Sequence, residues 1–185
     1  RLENHHVIEK NGRIVAHVGF FPLRSMADGI ELTIGGIGGV GTLPEERGQG
    51  HMQALFRHVI GRMREEGTLL SVLWGSRQRY AHFGYETAGE RVSIEFTEQS
   101  FRKAGIEPSL DVREIAVEDA WPEVGAWHTR QLLRVIRDGS RSGALRRPGL
   151  RVWTGQDGYV AGQTNEDSLV VREAVSASGR ETSLV

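Results

Sequence analysis

Apolar and polar positions change their period along this chain, and the changes mark its elements. His6 to Lys10 and Arg13 to Phe21 are apolar-rich runs on either side of Asn11-Gly12. That dipeptide tolerates left-handed backbone, so it predicts a two-residue hairpin turn. Arg24 to Gly29 is polar and reads as a turn, and Ile30 to Thr42 as a glycine-punctuated strand. Helical spacing then takes over: Met52, Leu55, Phe56, Val59, Ile60 and Met63 fall on one face, predicting a helix over Met52 to Glu66 that Gly67 ends. Leu69 to Trp74 is a short buried strand, Arg77 to Phe83 a brief helix, and Tyr85 to Phe96 two further strands around Gly89. The predicted order is β-β-β-α-β-α-β-β, a mixed α/β domain.

Thr97 to Leu110 reads as connecting chain, which sets the expected boundaries: a first domain over 1–100, a linker over 101–110 and a second domain over 111–185. In that second part Val112 to Ile115 is a strand and Glu118 to Ile136 a helical pair carrying Trp121, Trp127, Leu132 and Leu133. Arg151 to Thr154 and Tyr159 to Gly162 flank Gln156-Asp157-Gly158, a second hairpin signal. Ser168 to Val175 is the following strand. Val152 to Ala161 faintly repeats Val7 to Ala16, turn for turn.

Composition narrows the function classes. The chain has 185 residues, 38% hydrophobic and 25% charged, with a formal charge of −1. No basic field favours nucleic acid or an anionic membrane. Zero cysteines exclude disulfides, thiolate metal sites and a cysteine nucleophile, and fit a cytoplasmic setting. No apolar run approaches the roughly 20 residues that span a bilayer. The chain opens at Arg1 without a methionine and is expected to continue upstream. Association into a homo-oligomer is left open.

Candidate chemistry concentrates in Gly41 to Met52, where the predicted strand gives way to the predicted helix. A glycine loop opening a helix leaves unpaired N–H groups pointing one way, and the helix dipole adds positive potential there. Gly48 and Gly50 let backbone approach an anion without a Cβ in between. Arg47 adds a charge-assisted donor, although taken alone it reads more readily as a solvated surface arginine, and its place between Pro44 and Gly48 reverses that. The residues suit the phosphates of a nucleotide-like cofactor.

The turn Pro44-Glu45-Glu46-Arg47-Gly48-Gln49-Gly50 resembles the acyl-CoA-binding motif of the GCN5-related N-acetyltransferases. The family wording Arg/Gln-x-x-Gly-x-Gly/Ala maps onto Arg47, Gly48, Gln49, Gly50, His51 and Met52, with Met52 departing from the usual Gly or Ala. Downstream, Tyr80-Ala81-His82-Phe83-Gly84-Tyr85 resembles the family's later Tyr-x-x-x-Gly-Phe/Tyr motif, in the wording of its aminoglycoside-acetylating, enhanced-intracellular-survival branch. The resemblance implies a mixed-sheet acetyltransferase fold whose first strand and two helices lie outside this sequence, followed by the start of a degenerate second copy. It implies acetyl-CoA as co-substrate and a small-molecule or peptide amine as acceptor. It also implies main-chain cofactor contacts at Val40, Gly41 and Thr42, further contacts at Gly75 and Ser76, and Tyr80 as the acid that protonates the departing thiolate. A phenol of pKa about 10 can protonate a thiolate of pKa about 8.5, because the transfer is nearly balanced.

Each candidate has a plainer reading beside it. Gly75 and Ser76 fit turn chemistry, and Tyr80 fits a core aromatic with a satisfied hydroxyl. Gly36 to Gly41 contains a literal Gly-x-Gly-x-x-Gly, the signature of an NAD(P)-binding oxidoreductase when it opens directly into a helix. Here Thr42-Leu43-Pro44 follows instead, so strand glycines beside a cofactor arm fit better. A non-catalytic acyl-CoA-binding module is the other alternative. The seven histidines show no zinc spacing, so no metal is expected. No general base stands out. In the resembling branch the protein's own C-terminal carboxylate serves, from a later domain that this sequence does not reach. A water chain is the default and Glu31 the side-chain candidate.

Overall fold

The computed structural model describes residues 2–89, 95–105, 112–137, 139, 147–166 and 168–176. It divides into two units, Arg1–Glu90 and Arg91–Val185.

In the first unit, β1 (His5–Lys10) and β2 (Arg13–Ala27) form an antiparallel hairpin closed by Asn11 and Gly12 at φ 53° and 76°. Both angles are left-handed, as a type I′ turn requires. β2 then runs on antiparallel to β3 (Ile30–Thr42). The polar Arg24 to Gly29 stretch is strand up to Ala27, not turn. Only Asp28 and Gly29 turn, at φ 46° and 81°, and that Asp-Gly pair is the signal that matters. Cross-strand pairing outweighs local polarity there: Arg24 donates to Glu31 at 2.7 Å, and Ser25 is buried.

β3 leads into α1 (His51–Glu65), which returns the chain to β4 (Leu70–Leu73), parallel to β3. The sheet order is β1-β2-β3-β4. Leu55, Phe56, Val59 and Met63 form the apolar stripe of α1 and pack on Ala16, Val18, Phe20 and Ile37. Phe56 is fully enclosed, and emptying such a site costs about 3–5 kcal/mol.

Two features of β3 prepare the site. Gly19 faces Gly38 while His17 faces Gly41, so β3 carries one extra residue, a bulge at Gly39 and Val40 with Gly39 at φ 60°. Pairing with β4 ends at Ile37 opposite Leu73, although β3 continues to Thr42. Past Ile37 that edge of β3 has no β4 partner. The two parallel strands part there, leaving main-chain groups to be satisfied from elsewhere.

α2 (Arg77–Tyr80) and a 3₁₀ turn over Ala81–Phe83 come next. Of the strands expected from Tyr85 to Phe96, Tyr85 to Gly89 and Glu95 to Phe96 are irregular, and 90–94 lie outside the described residues.

The second unit opens on α3 (Glu98–Ala104). Thr97 and Ser100 cap it reciprocally and Gly105 ends it, so part of the expected linker is helix. β5 (Arg113–Ile115), β7 (Leu150–Gly155), β8 (Gly158–Thr164) and β9 (Leu169–Ser176) form an antiparallel sheet in that order. The expected helical pair is a single helix, α4 (Trp121–His128), then a short strand, β6 (Leu133–Val135). Turn bonds from Arg130 N to Trp127 and Gln131 N to His128 close α4, and exposure alternates along the next residues at the strand period.

Ala120, Val124, Val152, Tyr159 and Ala161 make this unit's core. Beside it Arg137 grips Glu173 through two 2.9 Å bonds, and the Tyr159 hydroxyl donates to the same carboxylate. His128 donates from Nε2 to the Val135 carbonyl at 2.7 Å, and its buried Nδ1 has no hydrogen-bond partner among the described residues.

Candidate functional site

The Gly48–Gly50 loop is built from the backbone outward. Pro44 starts a 3₁₀ turn over Pro44–Glu46, closed by Arg47 N bonding to the Pro44 carbonyl. Gly48 and Gly50 sit at φ 80° and 79°, where an L side chain is strained, and the space a Cβ would take at either is open. Gly50 caps α1, no side chain bonds its first-turn N–H groups, and that turn contains no acidic residue. The positive end of the helix is therefore uncompensated and faces open space.

Side chains behind the loop fix its course. Glu46 accepts from Lys10 at 3.1 and 3.2 Å and from His51 Nε2 at 3.3 Å, and Lys10 also donates to Gln49 at 3.4 Å. Lys10 first, then His51, holds the Glu46 carboxyl below the usual glutamate range. Gln49 and His51 thus staple the loop to the β1–β2 hairpin. Met52, the departure from the small residue of the motif, turns its side chain onto the core of the first unit. No carboxylate among the described residues pairs with Arg47 or Arg79.

A cavity of about 690 Å³ gathers these parts. Val40, Gly41 and Thr42 line it from the end of β3 beyond its pairing with β4, Arg47, Gly48 and Gly50 from the loop, His51 and Met52 from the start of α1, and Tyr80 from α2. Gln49 is the one loop candidate outside the wall. Gly75 and Ser76 line a separate cavity of about 340 Å³ past the end of β4, and Tyr80 belongs to both. Sequence reasoning missed Glu46, Gln53, Arg79 and His82, which also line the larger space. His82 lies within the Tyr80–Tyr85 motif and Arg79 immediately before it, the only signal that could have found them.

Tyr80 is 7% exposed, with its ring against Phe56 at a centroid distance of 5.3 Å. Gly75 is glycine for a reason: a Cβ there would lie 2.4 Å from the Tyr80 ring. Tyr85 is 6.3 Å away, ring to ring, and its hydroxyl is committed. Ser71 Oγ gives its single proton to the Gly35 carbonyl at 2.8 Å, so the Tyr85 hydroxyl must donate to Ser71 at 2.6 Å. Burial first, against that bond, pushes the Tyr85 phenol above its ordinary value. The Tyr80 hydroxyl has no hydrogen-bond partner among the described residues.

Two candidates fail on position. Gly36 to Gly41 lies inside β3, paired antiparallel with β2, so it forms no phosphate turn into a helix. Glu31 pairs with Arg24 near the opposite end of β3, about 30 Å from Gly41 at the rise of an extended strand.

A mixed sheet whose parallel strands part beside a glycine loop and an uncapped helix start is an α/β arrangement whose chemistry suits a nucleotide-like cofactor. Residues 1–88 match the family model of the acetyltransferase (GNAT) domain. The chain resembles the crystal structure of a GCN5-related N-acetyltransferase from Kribbella flavida, with 23% identity and a TM-score of 0.72 over 94% of this chain and 46% of that one. It resembles another from Anabaena variabilis similarly, with 22% identity and a TM-score of 0.71 over 99% of this chain and 51% of that one. The chain has the mixed α+β fold of these proteins, and the family model supports the GNAT acetyltransferase superfamily for residues 1–88. It spans about half the length of the solved structures it matches. No curated protein sequence matches it.

Proposed function

We propose that this chain carries the cofactor half of an acetyl-CoA-dependent N-acetyltransferase acting on a small-molecule or peptide amine. The observation that carries the reading is one cavity bounded by the end of β3 beyond its pairing with β4, the Gly48–Gly50 loop and Tyr80. The residues suit acetyl-CoA. Open left-handed glycines and uncompensated N–H groups fit a pyrophosphate, Arg47 adds a cation, and the free β3 edge can pair with an amide-bearing arm.

In the reaction the amine nitrogen attacks the thioester carbon while the Val40 N–H takes charge developing on the carbonyl oxygen. The C–S bond breaks, sulfur keeps the electron pair, and the Tyr80 hydroxyl supplies its proton. Water removes the proton released by the amine. Tyr85 is excluded from the acid's role, since its proton is held by Ser71.

The finer reading is a tandem protein of the enhanced-intracellular-survival branch, with residues 111–185 opening a degenerate second copy. Its support is the Tyr80–Tyr85 wording and the second hairpin. Gly155 pairs with Gly158 across Gln156-Asp157 as Lys10 pairs with Arg13 across Asn11-Gly12.

A panel of aminoglycosides, polyamines, amino acids and peptides, with acetyl-CoA and a thiol-detecting reagent, tests the function. Amine-dependent thiol release is expected. Acetyl-CoA binding without release from any amine would instead make the chain a non-catalytic acyl-CoA-binding module.

A further inference from the structure

The bulge in β3 is braced by two histidines that the mechanism leaves unused. His17 Nδ1 lies 2.6 Å from the Gly39 carbonyl oxygen. A carbonyl only accepts, so Nδ1 carries the proton. In the neutral ring Nε2 is then a bare acceptor, and His5 Nδ1, 2.8 Å away, donates to it. The two rings stack at 5.1 Å, and Phe21 meets His5 edge-on at 5.6 Å. The ring of His17 also occupies the space over Gly39, where a Cβ would stand 3.0 Å from its Cε1.

The Gly39 carbonyl and the Val40 N–H belong to one planar trans peptide and point in opposite directions. With the carbonyl drawn toward His17 on β2, the N–H is directed away from β2, to the edge that β4 has left and where Val40 lines the cavity. Donation to a peptide oxygen also polarises its N–H, because hydrogen bonds in a chain strengthen one another. We infer that His17, supported by His5, is a positioning residue: it aims and polarises the Gly39–Val40 peptide so that the Val40 N–H can take the charge of the reacting carbonyl. This rests on the acetyltransferase reading. The bulge itself turns the peptide; the histidine chain holds it turned.

The test compares the wild type with His17→Phe, which keeps a ring but no donor, and His17→Asn, whose amide nitrogen replaces Nδ1. Each is assayed for acetyl transfer with kcat and KM separated, and for acetyl-CoA binding by calorimetry. Losing the support of an oxyanion donor, not the donor itself, is expected to lower kcat about tenfold in His17→Phe. Acetyl-CoA affinity should stay within about twofold and His17→Asn should recover most of the rate. Ring ¹⁵N spectra of the wild type should show His17 protonated at Nδ1. An unchanged kcat in His17→Phe, equal losses in both variants, or protonation at Nε2 overturns the inference alone. A wild type that binds acetyl-CoA and acetylates no amine overturns the transferase reading, and this inference with it.

Discussion

Tyr80 differs from its neighbour Tyr85 in what surrounds its hydroxyl, and the proposed role as acid rests on that difference. Two tyrosines lie side by side, and the hydrogen-bond chain Tyr85 to Ser71 to Gly35 removes one of them from contention. Gly75 makes room for the other, which lines both cavities. Tyr80→Phe keeps the packing on Phe56 and deletes only the proton donor. Its kcat should fall on the order of 10²-fold with the KM for acetyl-CoA nearly unchanged. Steady-state thiol release decides this, and an unchanged kcat would return Tyr80 to the role of a packing residue.

At the level of elements, β9 and the segment after β6 are tied by a buried ion pair whose titration should be visible. Burial pushes the Glu173 carboxyl up, but the bonds from Arg137 and Tyr159 outweigh it and hold it below the ordinary 4.5. Burial moves His128 below its ordinary 6.5, against the bond to Val135. Both groups therefore bind fewer protons folded than unfolded, and stability rises with pH through each window. On acidification the His128 contribution is lost from about 6.5 downward through its lowered folded value, and the Glu173 contribution is lost in turn below about 4.5. Trp121, Trp127 and Trp153 report this unit by fluorescence. The urea midpoint should fall between pH 7 and 5 and fall again below pH 4.5. Arg137→Met should cost about 3 kcal/mol at neutral pH by leaving Glu173 buried and unpaired. A midpoint equal to the wild type's would show that solvent already screens the pair.

For the molecule as a whole, the two units carry similar hairpins but differ in the chain beyond the strand that follows each hairpin. β3 runs into the Arg47–Gly50 loop and α1, whereas no Arg-Gly-x-Gly sequence comes after β9. Calorimetry on this chain should find acetyl-CoA bound at the Arg47–Gly50 loop. Arg47→Glu should weaken that binding by about 2 kcal/mol or more, from one charged hydrogen bond lost and a repulsion gained. Equal affinities for wild type and Arg47→Glu would move the cofactor away from this loop.

The sequence by itself determined the features governed by neighbours along the chain. Asn11-Gly12 dictates a left-handed turn whatever surrounds it. The bounds Ile30–Thr42 and the apolar stripe of α1 come from local period, and Gly48 and Gly50 announce a left-handed loop because few other residues adopt those angles. Where pairing partners decide, local reading failed. Arg24 to Ala27 is strand because β3 lies opposite, and Leu133–Val135 left the helical pattern. Only the tertiary structure decided where the parallel strands part, that Glu31 lies far from the site, that Tyr85 has spent its proton, and that His17 reaches the Gly39 carbonyl across a bulge. Each of these depends on a distance between segments remote in sequence, which no local propensity encodes.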